Sequence, residues 1–162
     1  MMKRLILAAV VTVAASATPA LAQVMTPAEY VATAGASDLY ERQSSQVVLQ
    51  TTTNPDVRSF ATMMLTAHAQ STADVKAAAL KSRVKAAPPM LMPTQAEMIA
   101  QLKAESGPAR DATYIAQQKA AHGQALAVQQ AYAAGGTAPA LKMTAGKIVP
   151  VVQQHIAMLM KM

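Results

Sequence analysis

Glu41, His68, His122 and His155 are of a kind and spacing that could hold a metal ion. Imidazole with carboxylate suits Fe, Mn, Zn, Cu or Ni. Glu41 and His68 lie equally far, in opposite directions, from the turn signal Asn54-Pro55. An antiparallel helical hairpin would therefore set them at one level, roughly 20 Å from that turn. His122 and His155 flank the Gly135-Gly136-Thr137-Ala138-Pro139 break in the same way. Two hairpins packed side by side would bring all four residues to the middle of one bundle, where bundles commonly build metal sites. Asp38 shares a helix face with Glu41 and is either a further ligand or turned to solvent. The same geometry would also serve a purely structural layer, with Glu41 bonded to His68 across the core.

No histidine has a glutamate three residues before it: those positions hold Leu65, Lys119 and Val152. The Glu-x-x-His pattern of di-iron bundles is thus missing, and one or two carboxylates would poorly neutralise two oxidised irons. One ion of Fe, Mn, Zn or Cu is the cofactor these residues suggest. Met64 and Met158, within a turn of His68 and His155, add soft sulfur that could suit copper, although methionine at helical spacing also serves as core filler.

Five helical segments would position these residues. Thr26-Pro27-Ala28-Glu29 forms a capping box, and the first helix should run to about Thr51, with Val31, Ala34, Asp38, Glu41, Ser45 and Val48 on one stripe. Asn54-Pro55-Asp56 starts a second helix, to about Val84, whose inward stripe is Phe60, Met64, His68, Ser71 and Val75. Ala86 to Pro93 is too proline-rich for a helix and predicts an extended crossing; Thr94 then caps a short helix ending near Ser106-Gly107. Pro108 to Gly135 and Ala138 to Lys161 form the second hairpin, with Pro150 expected to kink or divide its last helix.

The N-terminus reads as a secretory signal peptide over residues 1–22: basic Met1-Met2-Lys3-Arg4, apolar Leu5 to Ala15, and the small-x-small site Ala20-Leu21-Ala22. Residues 23–162 should form a single domain. Without Lys3 and Arg4, the 14 Lys and Arg of the chain become 12 against 8 acids, a net charge of +4. With no Cys, disulfides and thiolate chemistry are excluded. Four Tyr, one Phe and no Trp in an Ala- and Gln-rich chain argue for an all-α fold over a β-sandwich. The charge excess and scarce aromatics do not suit nucleic-acid binding. No His-Glu-x-x-His, Gly-x-Ser-x-Gly or phosphate loop occurs, so no catalytic residue is assigned and a non-enzymatic role is favoured.

Taken together, Asp38-x-x-Glu41, Asn54-Pro-Asp-Val-Arg-Ser-Phe60, Met64-Leu-Thr-Ala-His68, Tyr114-x7-His122, Ala131-Tyr-Ala-Ala-Gly-Gly and Val149-Pro150-Val-Val-Gln-Gln-His155 resemble the exported bacterial proteins of domain-of-unknown-function family 4142. The resemblance covers about residues 26–160. It implies a ferritin-like four-helix bundle, a periplasmic or outer-membrane-associated location and no established activity, with Glu41, His68, His122 and His155 at the family's Glu and three His positions. Members often carry Asp before the second and third of these and Glu before the last. Here Ala67, Ala121 and Gln154 stand there, which argues further against two metals.

The expectation is an exported helical bundle with a single-metal Glu/His layer and no transmembrane segment in its mature part. The alternative is an envelope interaction or stress-protective module whose layer is only structural. Candidate partners are an envelope protein, the outer membrane and a second copy of the chain.

Overall fold

The computed structural model describes residues 25–162; the expected signal peptide, residues 1–22, lies outside them. The described chain is all-α: α1 (Pro27–Leu49), α2 (Pro55–Lys81), α3 (Pro93–Ala104), α4 (Gly107–Gly135) and α5 (Pro139–Leu159). Local chemistry explains the boundaries. The Thr26 hydroxyl accepts the Glu29 N–H while the Glu29 carboxylate accepts the Thr26 N–H, completing the capping box. Asn54 Oδ1 accepts the N–H groups of Asp56 and Val57. The second helix stops short of Val84 because Arg83 turns into the left-handed region at φ 55°.

Two boundary expectations change. α3 starts at Pro93, one residue before Thr94, and it is the Gln95 side chain that accepts the Met92 N–H. Pro150 does not divide α5, which is continuous from Pro139 to Leu159; the carbonyl freed by the missing N–H belongs to exposed Gly146, where water can serve it.

α1 packs along α2, and α4 along α5; α2 meets α5 and α1 meets α4, so the four long helices touch in a closed ring, as in a four-helix bundle. α3 lies across α1 and α4. The connection before α3 crosses α1 at Gly35, where a Cβ would stand 3.3 Å from Pro89 Cγ. No helix among the described residues is long and apolar enough to cross a membrane.

The apolar core has two parts. One, towards the α1–α2 turn, gathers Tyr40, Val48, Phe60, Met64, Leu102 and Tyr114; the other gathers Tyr30, Val75, Ala79, Tyr132, Leu141 and Ala145. The second is anchored by Tyr30 stacked on Tyr132, with ring centroids 3.9 Å apart and planes inclined 12°. Between the two parts run buried polar residues from every long helix: Asp38, Glu41, His68, Gln118, His122 and His155.

Gly136 ends α4 against the Tyr132 ring, and an added Cβ there would come within 2.7 Å of Tyr132 atoms. Gly136→Ala should destabilise by about 1–3 kcal/mol, because the added Cβ meets both the Tyr132 carbonyl oxygen and its ring. Gly123→Ala, in open space on helical α4, should stabilise by about 0.5–1 kcal/mol. Thermal melts of both variants beside the parent check these opposite signs.

Candidate metal centre

The inward stripes fall where periodicity placed them. Val31, Ala34, Asp38, Glu41, Ser45 and Val48 are all buried on α1, and Phe60, Met64, His68 and Val75 on α2. His122 and His155 are buried on α4 and α5. All three imidazoles meet: ring centroids are 5.8 Å apart for His68 and His122, 5.9 Å for His68 and His155, and 5.4 Å for His122 and His155. One nitrogen of each ring lies within 4.8 Å of the other two. Phe60 closes one side, its ring 6.1 Å from His122 and 6.4 Å from His155.

The carboxylates pair differently from the expected register. Asp38, rather than Glu41, accepts the hydrogen bond of His68 Nδ1, at 2.8 Å. The physical reason is the turn. Its centre is Thr52, midway between the end of α1 and the start of α2, rather than Asn54-Pro55, so the residues level with His68 lie earlier on α1 than Glu41. Asp38 accordingly does not turn to solvent; it is buried, and its Oδ2 accepts from Thr72 Oγ1 at 3.0 Å. Glu41 is displaced towards the second hairpin, its Oε1 3.6 Å from His122 Nδ1 and outside the close group of three imidazoles.

Hydrogen bonding sets the ring tautomers. His68 Nδ1–H donates to Asp38 and His122 Nδ1–H to the Gln118 carbonyl at 3.0 Å, so that in the neutral form of each ring Nε2 carries the free lone pair. Those two Nε2 atoms, His155 Nδ1 and both Glu41 carboxylate oxygens are buried without a hydrogen-bond partner, as is Gln118 Oε1. Buried polar groups are normally satisfied, and leaving one orphaned costs about 1–3 kcal/mol. The three orphaned imidazole nitrogens form a donor set that a transition-metal ion would fit, with the Glu41 oxygens beside that close group rather than in it. A four-coordinate ion with bonds of about 2.0–2.1 Å sets its ligands about 3.4 Å apart, so nitrogens up to 4.8 Å apart must close by up to about 1.4 Å.

Electrostatics favour the ligand-competent form at His122 and His155 and oppose it at His68 and Glu41. Burial pushes His122 down to about 3 and His155 down to about 4, each helped by the charge of His68, so both are neutral and ligand-competent near neutral pH. Burial also opposes charge on His68, but the Asp38 hydrogen bond and the Glu41 and Asp38 charges outweigh it and raise its pKa. Burial lifts Glu41 to about 7, against the attraction of His68.

Thr72 and Gln118 were not singled out from the sequence, although each carries a usable signal: Thr72 is one turn after His68 and Gln118 one turn before His122. Met158 is exposed and Met64 belongs to the apolar core.

In metal-free protein, Glu41 takes up its proton at about 7 when folded against the ordinary 4.5. The folded state is the more protonated one across that window, so this group's contribution to stability falls as pH rises from 4.5 towards 7. Glu41→Gln should therefore stabilise the chelator-treated protein more at about pH 8 than at about pH 5. Urea melts at both values check this, and an equal effect at both would mean that Glu41 is not desolvated.

No curated protein matches the chain. Among solved structures, a Streptomyces coelicolor protein described as a secreted DUF305 protein has a TM-score of 0.64 over 83% of this chain and 88% of that one. At 14% identity the likeness is one of fold. Residues 11–162 match the family described as domain of unknown function DUF4142, and the chain belongs to that family.

Proposed function

We propose that the protein is an exported helical bundle that binds one transition-metal ion through His68, His122 and His155, with Glu41 as the carboxylate ligand. The observation that carries this reading is the set of orphaned ligand atoms at the meeting point of the two hairpins. A purely structural hydrogen-bond layer would satisfy its members; this one bonds His68 to Asp38, Asp38 to Thr72, Gln118 to Ser44 and His122 to a backbone carbonyl, and leaves both Glu41 oxygens and one nitrogen of each imidazole without a partner. Asp38 acts as the acceptor that orients His68, rather than as a ligand, and Thr72 holds Asp38 in turn. Export is supported by the signal-like residues 1–22 and by the secreted description of the structural neighbour.

An Fe, Mn, Zn or Cu ion bound here would supply Lewis acidity or, for Fe, Mn and Cu, redox chemistry. The chain's own part is to present two neutral imidazoles, hold His68 against Asp38 and seal the Glu41 side from water. Two carboxylates near the site match the charge of one divalent ion.

Protein purified without chelator or histidine tag should carry near-stoichiometric metal, and His68→Ala should lose it. Saturation to about 100 times the dissociation constant should stabilise the folded state by about 2.7 kcal/mol, read as a thermal shift that chelator reverses. Asp38→Asn, which keeps an acceptor for His68 but removes its charge, should bind metal roughly 10–100-fold more weakly. Substoichiometric metal that is unchanged in His68→Ala, with no shift on adding metal salts, would overturn the assignment.

A further inference from the structure

The candidate metal centre has a sealed side and an accessible one. Glu41 and His122 are each 1% exposed. His68 and His155 also form part of the wall of a cleft of about 430 Å³ between α2 and α5. The cleft opens to solvent past Met143, Lys147 and Val151, all exposed. An ion held by the three imidazoles and Glu41 would have to expand to five-coordinate to take a further ligand, and His68 and His155 put the cleft on the side from which that ligand would come.

The wall is mostly apolar, with Ala67 and Ala78 from α2 facing Ile148 and Val152 from α5. Small side chains on α2 are what keep the two helices from filling the space between them. Lys81 and Lys147 line the same cleft, and neither forms an ion pair among the described residues. Of the two acids there, Asp38 is engaged by His68 and Thr72, and Asp74 by the Gln70 amide at 3.0 Å. The cleft therefore offers two exposed lysines that make no ion pair, an apolar wall, and the two candidate-ligand imidazoles at its inner end, with Asp38 and Asp74 as the acids beside them.

We propose that this cleft binds a short-chain aliphatic carboxylate, which coordinates the metal ion on the His68 and His155 side and lays its alkyl chain along the apolar wall. The inference rests on the metal reading above. The lysines draw the anion in, the ion takes its carboxylate, and the hydrophobic wall distinguishes a longer chain from acetate or an inorganic anion.

The test is titration of the cobalt(II)-loaded protein with hexanoate, acetate and azide, read from the visible bands of the metal. Hexanoate should change the spectrum and bind about tenfold or more tightly than acetate, since each buried methylene adds affinity. Ser71→Phe, which fills the cleft one turn from His68, should weaken hexanoate by about tenfold or more without changing the cobalt stoichiometry. Lys81→Glu with Lys147→Glu, both exposed and remote from the core, should weaken it several-fold at low salt, which keeps the proposal testable if Ser71→Phe fails to fold. Stoichiometric cobalt with a spectrum indifferent to hexanoate would overturn this proposal and leave the metal reading intact; so would hexanoate binding no tighter than acetate and azide. Failure to bind cobalt at all would overturn both.

Discussion

The structure depends on the burial of a polar layer across the middle of its core. Three imidazoles and a carboxylate have been taken out of water by the packing of α1, α2, α4 and α5, and most of their ligand atoms receive no hydrogen bond in return. Such a layer opposes folding. It is tolerated because an apolar cluster lies on either side, one around Phe60 and Tyr114 and the other around the Tyr30–Tyr132 stack. The helix lengths, the two short turns and the crossing segment before α3 all serve to bring three distant histidines together, with Asp38 level with His68.

Much of the fold was legible because helix periodicity and end signals are local properties. Thr26-Pro27, Asn54-Pro55 and Gly135-Gly136 mark real boundaries, and the stripes through Glu41, His68, His122 and His155 do face inward. The pairing of carboxylates with imidazoles was less legible because it depends on where the turn is centred. α1 ends at Leu49, so the turn is longer on its N-terminal side than Asn54-Pro55 suggests, and His68 meets Asp38 instead of Glu41. A shift of two or three residues along a helix moves a side chain by about 3–5 Å, enough to exchange a ligand for its hydrogen-bond partner. The fate of Pro150 depended on context of another kind. A proline breaks a helix when the carbonyl it strands is buried, and here that carbonyl lies at exposed Gly146.

The residues that directly precede the three histidines occupy different surroundings. Ala67 lines the cleft beside His68, Ala121 is half-buried against the apolar core, and Gln154 is exposed. Only the first two could have brought a carboxylate near the imidazoles, and alanine leaves both places apolar. The layer keeps Asp38 and Glu41 as its nearby acids, a complement suited to one divalent charge.

Each hairpin contributes one half of this layer, and the halves are far apart along the chain. Contacts inside a hairpin close short loops across Thr52 or across the Gly136 turn; joining His68 to His122 closes a loop of about fifty residues at a correspondingly larger entropic cost. Order of assembly follows from this difference. The hairpins can form first on local contacts, whereas the layer comes together last, when the two halves dock. An ion shared between His68 on one half and His122 and His155 on the other would then act as a clasp on the docked form, coupling metal occupancy to the lifetime of the closed bundle.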